Sequence, residues 1–372
     1  MSLSAKTPAT TVLHIDTERG WRGGERQVLW LAQALDPTRY RSVVAARPGE
    51  PLATRAAASG IPVIPLRPAG EFDLLAAWRL RSALRSGEVA VVHAHTAHAV
   101  ALAAVATIGT SVRVVVTRRV DFRLGSRAAS RWKYDRADAL IAISRAVADV
   151  MVASGIARSR ITVIPSGIDL ARRIDRVSDD VIGAMGVRRG SPLVVNVAQF
   201  VPHKDPLTFV DAIAAARTRV PDLQALMVGD GPLLESARAA INRLGLTDTL
   251  HLVGYRTDAD AILAAADVVA LSSREEGLGT VLLDALSLGK PIAATTAGGI
   301  PEIVTADCGL LTPVGDGRAL GDAIASLLSE VRADPTRRAA YAASARARAE
   351  MFSMARTAER TAEVYEKVLN RD

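Results

Sequence analysis

The chain has 372 residues, 49% of them apolar, with a single cysteine, Cys308. That length allows two domains with separate cores, and one cysteine excludes a disulfide framework and points to a reducing compartment. The net charge of +7 is unevenly spread: residues 1–173 carry 25 basic and 13 acidic groups, the remainder 21 and 26.

A basic first half is expected to meet something anionic. Nucleic acid is not expected, because no basic stripe interleaved with aromatics or known binding motif is present. An anionic membrane surface or a phosphorylated acceptor fits better. The N-terminus, MSLSAKTPATTVLHID, has no apolar run ahead of a cleavage site, so no secretory signal is expected. The longest apolar run, Ala97 to Thr110, reads as a buried helix and is too short to span a bilayer.

The first predicted strand, TVLHID (11–16), runs into a glycine loop, Trp21, Arg22, Gly23, Gly24, Glu25, Arg26, Gln27. Glycines at a strand-to-helix turn let the backbone approach a ligand, and a tight structural turn needs the same residues. Strands follow at RSVVAA (41–46), IPVIPL (61–66) and VAVVHAH (89–95), each with a helical pattern behind it. His93, His95 and His98 gather at the end of the fourth strand. Zinc wants further ligands, and no Cys or Glu clusters with them, so no metal is expected.

The next strand, RVVVT (113–117), ends in Arg118, Arg119, Val120 and Asp121. The planar fork of Arg119 suits a phosphate or carboxylate; an ion pair with Asp121 or Asp16 is the structural alternative. Beyond it Arg123, Arg127 and Arg131 recur every four residues beside Phe122, Trp132, Lys133 and Tyr134. Such a face suits an interfacial, membrane-touching helix, with solvated charge as the ordinary explanation. ALIAIS (139–144) closes the first series.

A polar stretch from Asp169 to Ser191 reads as a linker. The series then restarts with LVVNVAQF (193–200), ALMVGD (225–230), LHLVGY (250–255), DVVALSS (267–273) and PIAATT (291–296). Continuous apolar strands between amphipathic helices mean parallel sheets covered on both faces. The expected class is α/β with two doubly wound domains, 1–170 and 191–352, joined by 171–190. Ligands should lie outside the carboxyl ends of the strands, in the cleft between the two sheets. Asp258, Ala259 and Asp260 form a D-x-D triplet at a helix start and read as helix capping. SMARTAERTAEVYEKVL (353–369) is amphipathic, with Ala358, Ala362, Tyr365 and Leu369 on one stripe.

Residues 273–304, SREEGLGTVLLDALSLGKPIAATTAGGIPEIV, carry the most chemistry. Glu276 and Asp284 lie eight positions apart across a helix start, and Gly277 and Gly279 leave backbone amides bare between them. Phosphates can dock on such an N-terminus, where unpaired N–H groups and the macrodipole favour negative charge. Carboxylates on either side can reach hydroxyls. A sugar nucleotide, diphosphate in the middle and polyol at both ends, matches that pattern.

The segment resembles the signature of family 4 of the retaining glycosyltransferases, E-G-F-G-x-x-x-x-E-A-x-x-x-G-x-P-V-x-x-x-x-x-G-G-x-x-E, with Leu278 for the Phe and Asp284 for the second Glu. The resemblance covers the chain and implies the GT-B architecture: two Rossmann-like domains and a last helix (353–372) that crosses back to the first. It implies that Glu276 orients the transferred sugar, that Asp284 accepts from the ribose diol, and that Gly277, Leu278, Gly279 and Thr280 offer amides to the diphosphate. VAQFVPHKDP resembles V-x-R-L-x-x-x-K-G. Lys204 matches the Lys that neutralises the diphosphate, and Gln199 replaces the Arg; Arg119 or Arg22 is the expected compensation. Gly229, Asp230, Gly231 and Pro232 match a G-D-G-P turn, and Tyr255 falls where the base is contacted.

In the first half, Gly23 and Gly24 match the G-G-x-E-R loop near donor and acceptor, with Arg22, His95 and Arg118 on the acceptor side. Arg119 stands where many relatives carry a His that touches the sugar, so it counts with Glu276 and Lys204 among the catalytic candidates. The implied activity is metal-independent transfer, with retention, from a nucleotide-diphosphate sugar to a lipid-linked, polysaccharide or small-molecule acceptor in cell-envelope glycan synthesis. No cofactor is implied beyond that co-substrate. The single cysteine, the N-terminus without an apolar run and the basic first half point to a cytoplasmic location, peripheral on the inner face of the plasma membrane. A sugar-nucleotide epimerase or hydrolase of the same fold, and a non-catalytic subunit, are the alternatives.

Overall fold

The computed structural model describes residues 9–71, 73–85, 87–120, 122 and 128–371, with the backbone alone for 128–130. It divides into two compact units, Met1–Asp169 with Met354–Asp372, and Leu170–Ser353.

The first unit alternates β1 (Thr10–Ile15), α1 (Gly23–Ala34), β2 (Tyr40–Ala46), α2 (Pro51–Ala58), β3 (Val63–Pro65), α3 (Leu74–Leu84), β4 (Val89–Ala94) and α4 (Ala97–Ala106). It continues with β5 (Arg113–Arg118), α5 (Ala128–Asp135), β6 (Ala139–Ala142), α6 (Arg145–Ala153) and β7 (Ile161–Val163). All pairings are parallel, in the order β3-β2-β1-β4-β5-β6-β7. The order reverses between β1 and β4, so the crevice beyond their carboxyl ends is where this sheet favours a ligand.

The second unit holds α7 (Asp179–Ala184), β8 (Leu193–Val197), α8 (Pro206–Arg217), β9 (Gln224–Val228), α9 (Leu234–Arg243), β10 (Leu250–Gly254), α10 (Ala259–Ala265) and β11 (Val268–Leu271). Then come α11 (Thr280–Ser287), β12 (Ile292–Thr295), β13 (Gly309–Thr312), α12 (Gly317–Ala333) and α13 (Pro335–Glu350). Its sheet runs β10-β9-β8-β11-β12-β13, again parallel, with the reversal between β8 and β11. Helices α8 and α12 pack closely because a Cβ at Gly321 would collide with the Ala212 carbonyl.

The last helix, α14 (Met354–Leu369), belongs to the first unit. Ala358, Ala362, Tyr365 and Val368 are buried against Val12, Val91, Val115 and Ile141 of the sheet. Each larger apolar side chain buried there contributes about 1.5–3 kcal/mol. Among the described residues no helix is long and apolar enough to cross a membrane.

Three expectations change. The stretch read as a linker contains α7, capped by Ser178, and Val177 N–H donates to Ala261 O within the second unit. The edge strands β7, three residues, and β13, four residues, were not separated by the sequence reading. Two residues beside the basic, aromatic run beyond β5 are not surface residues. Arg123 and Arg127 lie outside the described residues. Lys133 is buried, ion-paired with Glu71 and bonded to Ala97 O at 3.1 Å, and Tyr134 is buried with it. Of that set Phe122, Arg131 and Trp132 are exposed.

Candidate active site

In the second unit the switch point between β8 and β11 brings two loops together. Lys204, in the turn after β8, is ion-paired with Glu276 after β11, and both side chains are mostly buried, 21% and 11% exposed. Ser273 Oγ donates to the same Glu276 oxygen at 3.1 Å. Backbone bonds fix the approach: Arg274 N–H and Glu275 N–H donate to His203 O at 2.8 and 3.2 Å, and Ser272 Oγ donates to Asp205 O at 2.8 Å. So two groups separated by 72 residues in sequence share one charged contact.

Asp205 makes this turn. It is the one non-glycine residue with positive φ among those described, φ 48°, ψ 62°, a conformation costing about 1–2 kcal/mol for a side chain with a Cβ. Its carboxylate caps α8, accepting from Thr208 N at 3.3 Å and Thr208 Oγ1 at 2.6 Å, and pairs with Arg274 Nε at 2.7 Å. The sequence reading missed this pair, although Asp205 stands where the Lys-Gly pattern has its glycine, a residue free to take that φ. Asp205→Gly is expected to relieve the strain yet loosen Lys204, because cap and ion pair both vanish. Thermal melts should then move little while nucleotide affinity falls about threefold or more. Unchanged affinity would separate the turn from the site.

The other donor-side positions lie in the same unit. Gly229 and Gly231 take φ 146° and 156°, and a Cβ on either would collide with the Ala198 or Phe200 carbonyl, so the G-D-G-P turn lies against the loop that carries Gln199. Gln199 is half-buried in that loop. Gly279, φ 85°, opens α11 at Thr280, and Gly299 N–H donates to Glu276 O at 2.9 Å. The first-turn amides of α11 therefore begin four residues past Glu276, with Gly277 buried between. Leu278 is a core side chain, 1% exposed, so only its backbone can face a ligand. Asp284 is buried on α11, whereas Tyr255 after β10 is 60% exposed. Asp258 sits at the N-cap position of α10 but makes no side-chain cap bond. Arg256 holds it through two bonds of 2.8 and 2.7 Å, and Asp260 pairs with Arg172. Those arginines, rather than helix amides, occupy both carboxylates of the D-x-D triplet.

In the first unit, Gly23 and Gly24 open α1, and Arg22 N–H donates to Glu25 Oε2 at 2.8 Å while the Arg22 side chain is exposed. Arg118 is turned inward: it donates to Tyr134 Oη at 3.1 Å and to Phe122 O. Both terminal nitrogens of Arg118 are thus bonded within the first unit. Arg119 is half-buried and donates to Ser166 Oγ at 3.2 Å and to His95 Nδ1 at 3.4 Å. The alternative of an ion pair with Asp16 is not met, since no carboxylate oxygen among the described residues lies within 4.0 Å of its guanidinium; Asp121 is outside them.

His95 belongs to a buried cluster with His14 and His93, not with His98, which is exposed beside Glu18. His14 sits mid-strand in β1, where its sequence context reads as core. Arginine can only donate, so His95 Nδ1 accepts, His95 Nε2–H donates to His14 Nδ1 at 3.2 Å, and neutral His14 carries its hydrogen on Nε2. That N–H is buried with no acceptor, at a cost of about 1–3 kcal/mol. His93 is occupied on both nitrogens, by Tyr365 Oη at 2.6 Å and Thr117 Oγ1 at 2.7 Å. His93 and His95 are each bonded through both ring nitrogens and lie beside a guanidinium, an arrangement that fits a hydrogen-bond network and does not fit a cation.

Burial, then the Arg119 charge, holds His14 down to about 3, and burial pushes His93 and His95 well below the ordinary range. Burial raises Asp16 to about 7, with Glu25 and Glu18 adding to it. A histidine neutral in the fold but protonated when unfolded loses stability as pH falls below about 6.5, approaching about 1.4 kcal/mol per pH unit for each. Asp16 acts oppositely between about 7 and 4, because the folded chain takes the proton first. Urea midpoints should therefore fall from pH 7 to pH 5, and fall more steeply in Asp16→Asn. A variant slope equal to wild type would contradict the assignment.

The profile described as Glycosyltransferase Family 4 matches residues 21–172, and that described as Glycosyl transferases group 1 matches residues 191–330. The chain belongs to the family 4 glycosyltransferases. This family 4 chain is 32% identical over 199 residues to a GDP-mannose-dependent monoacylated alpha-(1-6)-phosphatidylinositol monomannoside mannosyltransferase of Corynebacterium glutamicum, covering 50% of this chain and 51% of that protein. It is 27% identical over 269 residues to N-acetyl-alpha-D-glucosaminyl L-malate synthase of Bacillus anthracis, 70% of each. It is 31% identical to D-inositol 3-phosphate glycosyltransferase of Corynebacterium urealyticum, covering 62% and 57%. The match thus spans about half the length of several curated relatives. Among solved structures, Anabaena HepE in complex with UDP-glucose superimposes with a TM-score of 0.83 at 24% identity, over 96% of this chain and 99% of that one. Sucrose-phosphate synthase of Thermosynechococcus elongatus gives 0.72 at 18%, over 97% and 99%. These likenesses establish the GT-B fold.

Proposed function

We propose that the chain moves a sugar, with retention and without a metal, from a nucleoside-diphosphate sugar held by the second unit to a hydroxyl of an anionic acceptor. The Lys204–Glu276 contact at the β8/β11 switch point, directly ahead of the α11 amides, carries this reading. Negative charge grows on the leaving diphosphate, and fixed donors aimed at it supply several kcal/mol. Lys204 and the first amides of α11 are those donors. Glu276 accepts from the sugar hydroxyls, Asp284 from the ribose, and the exposed Tyr255 ring offers the base a stacking face. HepE was crystallised with UDP-glucose, which supports a nucleotide-sugar donor. Relatives named for L-malate, inositol 3-phosphate and a phosphatidylinositol mannoside support an anionic acceptor.

The epimerase or hydrolase alternative needs acid–base imidazoles over the sugar, whereas all three are buried: His93 is bonded to Thr117 and Tyr365, and His95 to His14 and Arg119. The test is a thermal-shift series with UDP, GDP and ADP, then turnover of sugars on the best base. One diphosphate should raise the melting temperature, and its sugar should turn over only with acceptor. Free sugar or an epimer from donor alone would favour the alternative; a stabilised but inert chain would make it a non-catalytic subunit.

The acceptor is proposed to be presented at an anionic inner membrane surface, since the basic first half includes apolar side chains facing water on α3. Leu74, Leu75 and Trp78 are 70%, 58% and 60% exposed, beside exposed Arg79 and Arg85. Apolar residues flanked by arginine suit an interface. Binding to anionic vesicles should fall steeply with salt, and replacing the three apolar residues by Ser should weaken it while leaving nucleotide affinity intact. Indifference of wild type to anionic vesicles at low salt would refute membrane contact.

A further inference from the structure

At the β1/β4 switch point of the first unit, two opposite charges lie near each other without touching. Asp16 follows β1 and is 3% exposed; its Oδ1 accepts from Glu18 N at 2.9 Å, and its other oxygen has no partner among the described residues. Arg119 follows β5, with a buried Nε that finds no acceptor and two terminal contacts at the long end of hydrogen-bond range. Buried charges ordinarily pair. Here each feels the other's field, yet no ion pair forms within 4.0 Å. A cavity of about 10 Å³ beside Arg119, lined by Gln27, Thr117, Ser166, Thr357 and Thr361, has room for one water only. Ser166 and the His95–His14 chain fix the guanidinium from within, leaving its donors in excess of the acceptors the protein supplies.

We propose that Asp16 and Arg119 form an acceptor subsite that selects a hydroxyl with a carboxylate or phosphate on a neighbouring carbon, the hydroxyl donating to Asp16 and the anion taking the fork of Arg119. This rests on the transferase reading and gives its acceptor a chemistry. Asp16 in its ionised form only accepts and a guanidinium only donates, so the two cannot both be satisfied by a plain anion or a plain alcohol. They can by one molecule carrying both groups. Sites built to bind a hydroxyl reject analogues that lack it.

Calorimetry on the full chain with L-malate, glycerol 3-phosphate and hydroxyl-free succinate tests this. At least one hydroxy-anion should bind saturably, and succinate about tenfold more weakly, the loss of one hydrogen bond; which of the first two binds better tells carboxylate from phosphate. Asp16→Asn should erase most of the preference over succinate, and Arg119→Ala should abolish binding of all three. Arg119→Lys, which keeps the charge and loses the fork, should fall between, and serves if the alanine variant does not fold. No saturable binding of any probe, a preference intact in Asp16→Asn, or binding untouched in Arg119→Lys and Arg119→Ala would overturn the subsite. Nucleotide binding is read separately on the same protein: its loss with probe binding intact would sink the transferase reading alone.

Discussion

Glu276→Ala is expected to lower the turnover number by about 10²–10³, because the interaction removed is one that strengthens as the sugar gains positive charge. Nucleoside-diphosphate affinity should hold or tighten. Glu276 occupies the Lys204 ammonium, and its removal frees that charge for the diphosphate. A Kd that weakens in step with turnover would mean that Glu276 holds the nucleotide rather than the sugar.

Lys204→Ala should act on both quantities. It withdraws a charged donor worth about 1.5–3 kcal/mol and leaves the Glu276 carboxylate, mostly buried, facing an anion. Nucleotide affinity should drop about tenfold or more, and turnover with it. The double variant Lys204→Ala/Glu276→Ala should bind nucleotide better than Lys204→Ala alone, since the repulsion is gone. Equal affinities in single and double variants would show that the two side chains do not share the diphosphate.

Much of the fold was legible because runs such as VLHI after Thr11 and VVV at 114–116 are apolar on both faces, which only a covered parallel sheet tolerates. The stripe on α14 was equally plain: Ala358, Ala362 and Tyr365 are buried and Leu369 is partly buried against the same core. Of the edge strands, β3 and β10 were read from IPVIPL and LHLVGY, whereas β7 and β13 were not separated from the loops around them. Lys133 misled for a different reason: a lysine beside arginines reads as surface, and only the tertiary position of Glu71 explains its burial. At the site, the glycines of the G-D-G-P turn and the start of α11 announced backbone approach. The Lys204–Glu276 contact joins residues 72 apart and had no local signature. His14 and Asp16 sit within and just beyond a strand that reads as ordinary core; their partners, His95 and Arg119, come from β4 and β5 ends that only the strand order brings beside β1. Asp205 alone left a readable trace, an aspartate at a position that wants glycine.

The most direct test is turnover of UDP-, GDP- and ADP-sugars by the purified chain, with and without a hydroxy-anion acceptor, beside Glu276→Ala as control. The transferase reading predicts glycosylated product from one donor, formed by wild type and lost in the variant while nucleotide binding survives. Product formed equally by both proteins, or no nucleotide bound by either, would contradict it.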